Sequence, residues 1–194
     1  LMNPKADVKA TICHTSTENL DIIPANIDLS AAEVQLVNEV ARESALARVL
    51  RHVESDYDVV LIDCQPSLGL LAVNALTAAH GVIVPVEAEF FALRGVALLV
   101  ETIETVRDRI NPRLKIDGIV ATMVDSRTLH SREVLQRLQE AFGDLVFDTR
   151  IGRTIKFPDA SVATEPIISY APNHAGAHAY RRLAREVIAR GDAA

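Results

Sequence analysis

A run of four aliphatic residues at positions 59–62, ending in Asp63, constrains this chain more than any other feature. A short continuous apolar run is typical of a strand buried on both faces, as in the middle of a parallel sheet. The carboxyl ends of such strands form the edge at which open α/β sheets bind ligands. Two interpretations of Asp63 stay open here. Its carboxylate holds Mg²⁺ beside a nucleotide, or it caps a helix that starts near Ser67.

Segments with strand and helix patterns alternate along the chain. The predicted strands are residues 20–24, 59–62, 82–86, 119–124, 145–151 and 166–168. The predicted helices are one of about six turns that begins with a Ser30–Glu33 capping box and ends before Asp56, followed by 67–79, 89–110, 131–142 and 174–190. Such alternation predicts an α/β fold, a mainly parallel twisted sheet with helices on both faces.

Length and composition predict one globular domain. The chain has 194 residues, of which 49% are hydrophobic and 24% charged. We expect residues 1–19 to form an irregular lead-in, 20–190 the domain and 191–194 a tail. The opening Leu1-Met2 indicates a piece of a longer protein. Cys13 and Cys64 form no metal or disulfide pattern, which favours a reducing, cytoplasmic setting.

Charge is distributed unevenly. The net charge is −6, with −8 on residues 1–126 and +2 on residues 127–194. This polarity is compatible with one face that tolerates a polyanion, but it is too weak to indicate nucleic-acid binding by itself. No apolar run approaches the roughly 18 residues of a membrane span.

Seven short motifs stand in order along residues 20–190. They are DIIPANIDL (21–29), LIDCQPSLG (61–69), ALTAA (75–79), EFFALRG (89–95), NPRL (111–114), TMVDSRT (122–128) and GAHAY (176–180). As a set they resemble the ParA/Soj chromosome- and plasmid-partition ATPases, relatives of the division-site regulator MinD. The resemblance implies a P-loop NTPase-like fold that binds ATP and Mg²⁺.

The family's glycine-rich phosphate loop, its Walker A motif, does not occur in this sequence. The eight glycines are dispersed, and Gly-Lys is never found. The resemblance therefore implies the carboxyl-terminal portion of a ParA-like protein, without the opening βαβ unit. We expect this chain by itself to be inactive as an ATP hydrolase, and no residue is assigned as catalytic.

The resemblance assigns nucleotide-binding roles to five residues. Asp63 matches the Walker B aspartate that holds Mg²⁺, although Gln65 stands where the family usually has proline. Met123 and Asp125 end the strand whose counterpart borders the adenine base. Two further matches are Gly152 and Arg153, at a Pro-Arg pair that covers the base, with glycine replacing the proline. The alternative for this second group is an ordinary loop with solvated charges.

Two cations match arginines with which the family binds DNA without regard to sequence. They are Arg127 and Lys156; lysine keeps the positive charge but loses bidentate geometry. Arg153, Arg181 and Arg182 extend the same patch. The alternative is that these are solvated surface side chains.

For the intact protein the resemblance implies a cytoplasmic, nucleoid-associated homodimer that forms when ATP binds. The dimer binds DNA non-specifically, and a ParB-type centromere-binding partner stimulates hydrolysis; no membrane is involved. Two other interpretations stay open. One is a MinD-like membrane-associated ATPase, although residues 183–194 lack large anchoring aromatics. The other is a non-catalytic ParA-like regulator.

Overall fold

The computed structural model describes residues 7–89 and 92–192, which fall into two units. The first unit comprises Leu1–His80 and Thr102–Leu114, and the second comprises Gly81–Glu101 and Lys115–Ala194. Phe90 and Phe91 of the fourth motif lie outside the described residues, as do residues 1–6 of the expected lead-in and 193–194 of the expected tail.

The first unit is built from short elements. They are strands β1 (Cys13–His14) and β2 (Asp21–Ile22), which pair antiparallel, and helices α1 (Leu29–Leu36), α2 (Ala45–Leu50) and α3 (Leu70–Ala78). A 3₁₀ turn at Lys9–Thr11 and strand β1 give part of the expected irregular lead-in regular structure. Of the predicted strand 20–24, only Asp21–Ile22 is paired.

The predicted six-turn helix is wrong. The chain leaves α1 after Leu36, and Ala41 takes a left-handed conformation, φ 52°, that an α-helix cannot contain. The capping-box prediction is also wrong. The residue that precedes α1 is Asp28, which makes no side-chain cap bond, and Glu33 accepts a hydrogen bond from the backbone N–H of Leu71 instead.

Residues 59–62 do not form the predicted buried strand. Val59, Val60 and Leu61 are 70%, 44% and 84% exposed, and the backbone from 59 to 65 has no regular structure. Within the described residues no strand pairs with this run. A parallel strand satisfies its N–H and C=O groups on its neighbours, so an apolar run without neighbours stays outside the sheet.

The second unit contains the parallel sheet. Its elements are β3 (Gly81–Glu87), α4 (Ala92–Arg109, assigned to the first unit from Thr102 onward), β4 (Lys115–Thr122), α5 (Leu129–Phe142), α6 (Lys156–Val162), α7 (Ile167–Tyr170) and α8 (Ala175–Asp192). Strands β3 and β4 run parallel from Gly81 opposite Lys115 to Glu87 opposite Thr122. The predicted α/β class, with a parallel sheet flanked by helices, is confirmed.

Two predicted strands in the second unit differ from the structure. Residues 145–151 form no regular strand: Leu145 ends a 3₁₀ turn (Gly143–Leu145), and a single bridge joins Val146 to Ile119 of β4. Residues 166–168 are wrong as a strand, because Pro166 precedes the short helix α7. A short apolar run does not by itself distinguish a strand from a helix. Helix α6 was not predicted.

The core of the second unit joins β4 to α8. Val120, Phe147, Ile151 and Ala179 form one buried cluster, which Val187 helps to cover. Phe147 is only 1% exposed, so segment 145–151 is packed into the core although it forms few backbone bonds to β4. This packing holds the segment that leads to Gly152 and Arg153.

Candidate functional site: the carboxyl end of β4

The carboxyl end of β4 meets the end of segment 145–151. Met123 follows β4 with φ 54°, which ends the strand. Val124 then forms a parallel bridge with Gly152. The N–H of Val124 donates to the carbonyl of Ile151 at 3.1 Å, and the N–H of Arg153 donates to the carbonyl of Val124 at 3.0 Å. The structure thus brings together the two pairs that sequence assigned to the base, Met123 with Asp125 and Gly152 with Arg153.

Asp125 is the electrostatic centre of this edge. The Arg127 guanidinium forms a bidentate hydrogen-bonded pair with the Asp125 carboxylate: Nε donates to Oδ1 at 2.9 Å and Nη2 donates to Oδ2 at 2.8 Å. The backbone N–H of Arg127 adds a third bond at 3.0 Å. These bonds, with the positive charges of Arg127 and Arg153, lower the pKa of Asp125 to about 2. Asp125 is therefore an anion at neutral pH.

The loop after Asp125 is tied to the start of α5. Thr128 caps the helix by accepting from the N–H of Ser131 at 3.3 Å. Its hydroxyl donates to the carbonyl of Asp125 at 3.0 Å, and the N–H of Asp125 reaches the Ser131 hydroxyl at 3.4 Å. Sequence reasoning missed this pair. The signal was Thr128, a threonine directly before residues whose apolar side chains repeat at helical spacing, which is typical of a helix start.

Position 152 does not require glycine. Gly152 lacks a positive φ, and a side-chain Cβ there would meet only the Val124 carbonyl, at an ordinary 3.6 Å. The backbone bonds of this bridge come from the N–H groups of Val124 and Arg153, not from that of Gly152. The departure from the family's proline is therefore not imposed by crowding.

Both predicted DNA-binding cations have acidic partners. Arg127 pairs with Asp125, although its side chain is 87% exposed. Lys156, the first residue of α6, donates to Asp159 at 3.1 Å and lies 5.9 Å from the ring centre of Tyr170. The Asp159 hydrogen bond and charge raise the pKa of Lys156. Each cation is thus partly neutralised and still reachable from solvent.

Arg181, suggested above as an extension of the patch, has a structural role. Its guanidinium donates to the carbonyls of Pro172 and Ile168 at 2.7 and 3.1 Å. These bonds link α8 to the end of α7. Arg182 and Arg153 are exposed.

Asp63 belongs to the first unit, whereas the other predicted site residues belong to the second. Its side chain is exposed and makes no hydrogen bond or ion pair with any described residue. The helix-cap alternative is wrong, because α3 begins at Leu70 and the residue before it is Gly69. The neighbouring Cys64 is not an activated thiol, since partial desolvation and the Asp63 charge raise its pKa.

The donor set for a metal is a single carboxylate. Over residues 7–89 and 92–192, three or more His, Cys, Asp or Glu side chains never come together as a metal site. Mg²⁺ usually keeps several waters and binds one or two carboxylates together with substrate phosphates. The exposed Asp63 therefore fits one protein ligand of a Mg²⁺–nucleotide complex, but not a metal site by itself.

No helix in the described part of the chain combines the length and the apolar character needed to cross a bilayer.

Comparison with known proteins places this arrangement in a family. A model of the AAA domain matches residues 1–116. An uncharacterized protein of Mycobacterium tuberculosis (strain H37Rv) is 59% identical over 190 residues, which are 98% of this chain and 60% of that protein. The chain thus spans about 60% of the length of this relative.

Proteins whose names state a function are also similar to the chain. The chromosome-partitioning ATPase Soj of Treponema pallidum is 45% identical over 190 residues, 98% of this chain and 75% of that protein. A crystal structure of cobyrinic acid a,c-diamide synthase from Mycobacterium smegmatis, with bound ATP analog and magnesium, is 41% identical with a TM-score of 0.78. It matches 91% of this chain and 65% of that one. By these matches the chain belongs to the ParA/Soj family.

Proposed function

We propose that this protein acts in ParA-type partitioning of chromosomal or plasmid DNA. ATP binding closes two copies into a homodimer, the dimer binds DNA without regard to sequence, and a ParB-type partner stimulates ATP hydrolysis. The observation that carries the proposal is the 45% identity, across 98% of the chain, to a relative named a chromosome-partitioning ATPase.

Two sets of residues are assigned to the nucleotide. Met123, Asp125, Gly152 and Arg153 are assigned to the base. Asp63 is assigned to the Mg²⁺ ion, which it holds through its carboxylate. The ion, when bound, supplies the positive charge that neutralises the phosphates. The ATP analog and magnesium bound to a 41% identical protein support nucleotide and Mg²⁺ binding in general.

The 194-residue chain alone is expected neither to hydrolyse nor to bind ATP tightly. Its sequence contains no glycine-rich loop whose amides and lysine would cradle the phosphates. Phosphate release and calorimetric titration with Mg²⁺–ATP on the purified chain measure this directly. Mg²⁺-dependent turnover by the purified chain would contradict the expectation.

DNA binding is assigned to Arg127 and Lys156. Phosphate contacts require only a reachable positive charge, and both side chains keep one despite their acidic partners. We expect Arg127→Glu in the native gene product, with ATP, to abolish nucleoid association and to weaken binding to every DNA sequence alike. ATP affinity is measured on the same variant, because Arg127 also holds Asp125; loss of DNA binding with ATP affinity retained identifies a direct DNA contact.

Arg113→Glu is the matched control, because it makes the same charge change at an exposed arginine of the first unit. Equal DNA binding by the Arg127 and Arg113 variants would contradict the DNA-binding assignment. Formation of an amide product from cobyrinic acid, the activity named for the solved relative, would replace the partitioning proposal.

A non-catalytic ParA-like regulator is the second candidate; it would differ from the ATPase in having no working nucleotide site. Calorimetry with Mg²⁺–ATP on the native gene product separates the two candidates, since only the ATPase binds nucleotide. Co-sedimentation with anionic vesicles, rather than with DNA, would favour the MinD-like alternative instead.

A further inference from the structure

Segment 145–151 contains a bulge of two extra residues opposite β4. The N–H of Phe147 donates to the carbonyl of Ile119 at 2.8 Å, and the N–H of Ile151 donates to the carbonyl of Ala121 at 2.9 Å. The segment therefore advances four residues while β4 advances two. In a regular parallel pair both strands advance equally, so the segment is out of register unless something holds the extra length.

Glu186 of α8 binds this bulge. Its carboxylate accepts from the backbone N–H of Asp148 at 2.7 Å and from that of Thr149 at 3.1 Å. Both amides lie between the two points at which the segment bonds to β4. A carboxylate that accepts two N–H bonds replaces the pairing that the bulged residues lose.

Arg190, one turn further along α8, fixes the start of the same segment. Its guanidinium donates to the carbonyls of Asp117, Leu145 and Val146 at 3.0 to 3.1 Å. It also lies 4.0 Å from the ring centre of Phe147 and pairs with Glu186 at 3.6 Å. Arg190 thus orients Glu186 and anchors the chain immediately before the bulge.

The bulge contributes to the register of the residues that follow it. From the Phe147–Ile119 bond to the Arg153–Val124 bond the segment advances six residues and the β4 side five, because the irregular backbone at Met123 takes up one of the two extra residues. After Ile151 bonds to Ala121, the next bonds place Gly152 and Arg153 against Val124. Without the two extra residues, the residues opposite Val124 would be displaced along the chain. The position of Gly152 and Arg153 beside Asp125 therefore depends on the bulge that Glu186 stabilises.

We propose that Glu186 is a positioning residue for recognition of the nucleotide base. By holding the bulge at Asp148 and Thr149, it places Gly152 and Arg153 where they cover an adenine base beside Met123 and Asp125. This inference rests on the proposed function for the base contact itself. It assigns specificity to a helix that does not touch the base.

The first test measures the register directly on the 194-residue chain. We expect Glu186→Ala to speed amide hydrogen exchange of Ile151 and Arg153 by about tenfold to a hundredfold. The reason is that the amides of Asp148 and Thr149 lose their acceptor, which loosens the bulge that precedes Ile151 and Arg153. Glu186→Gln keeps one acceptor oxygen and should give a smaller increase. Glu133→Gln, the same change at an exposed residue of α5, is the control and should change neither amide. Unchanged exchange in Glu186→Ala would overturn the inference.

The second test measures base selectivity in the native gene product. We expect Glu186→Ala to reduce the ratio of GTP to ATP dissociation constants, both with Mg²⁺, by about tenfold. A general loss of protein stability would weaken the binding of GTP and ATP equally and leave the ratio of their dissociation constants unchanged. An unchanged ratio would overturn the positioning role. If the native protein binds no nucleotide while the exchange effect is present, the proposed function fails and the register control by Glu186 stands.

Discussion

Two runs of this chain are similar in sequence and opposite in structure. Residues 59–62 and residues 119–121 are both short and apolar, and each run leads to an aspartate, Asp63 or Asp125. Ile119, Val120 and Ala121 are at most 4% exposed and pair with β3, whereas residues 59–61 are exposed and unpaired within the described residues. Apolar character alone therefore does not make a strand. A neighbour that accepts and donates backbone hydrogen bonds is also needed.

The two aspartates differ for the same reason. Asp125 lies where a second segment returns to β4, and Arg127 and the α5 cap hold it in place. Asp63 follows a run without such neighbours and makes no bond to a described residue. One carboxylate is preorganised by its surroundings, and the other is not.

The largest difference should appear in amide hydrogen exchange. Amides of β4 that pair with β3 should exchange at least about a thousandfold more slowly than those of residues 59–62, because only the former open with the core. Exchange read by NMR or mass spectrometry checks this. Comparable protection in both runs would mean that residues 59–62 are paired after all.

A matched pair of truncations tests the packing. Ile119→Ala removes a side chain with 0% exposure and should lower the free energy of unfolding by about 2–5 kcal/mol, because it leaves a cavity. Leu61→Ala, at 84% exposure, should change it by less than about 0.5 kcal/mol. Urea unfolding of both variants measures the contrast, and a large loss from Leu61→Ala would refute it.

Acid should remove the preorganisation of Asp125. Its pKa is lowered from 3.8 to about 2, so the stability it contributes is present above pH 3.8 and is lost as the pH falls to about 2. The difference in urea midpoint between the wild type and Asp125→Asn should therefore shrink across this window. Arg127→Gln should give the same trend. A difference independent of pH would show that the Asp125–Arg127 pair does not lower the pKa.

The smallest effect concerns Gly152, which forms the bridge opposite Val124. Gly152→Ala should raise the free energy of unfolding by about 0.4–1 kcal/mol, because its Cβ fits and the unfolded chain loses freedom. Gly143→Ala is the control and should destabilise, since Gly143 has φ 51°. Thermal or urea unfolding measures both variants. Destabilisation by Gly152→Ala would indicate that position 152 needs glycine.

Helices with a long apolar period were predictable. Helices α4, α5 and α8 lie within a few residues of their predicted ends, because their core-facing side chains repeat along one helix face. The short segments were not. Pro166 to Ile168 matched a strand pattern but leads into α7, and Ala41 interrupts a helix whose composition suits continuation. In both cases local preferences are weak and packing decides.

The candidate site divides in the same way. The resemblance to the ParA/Soj family identified Asp63, Met123 and Asp125 through two of the motifs and the Gly152–Arg153 pair through a match to the family's Pro-Arg pair. Glu186 could not be identified from a local motif, because it lies 38 residues from Asp148 and binds backbone amides. No side-chain pattern records which amides a bulge leaves unpaired.

By itself, the sequence determined the α/β class, the parallel strands around Val84 and Val120, the long helices and the family. These features depend on apolar periodicity and on local motifs, which can be recognised from neighbouring residues in the sequence. Only the tertiary structure decided that the aliphatic run before Asp63 pairs with no strand in the described part of the chain, while the one leading to Asp125 becomes a buried strand. It also decided that Glu186 holds the bulge. The physical reason is that backbone hydrogen bonds between segments depend on which partner segment is present. These partners are far apart in the sequence, so no local pattern identifies them.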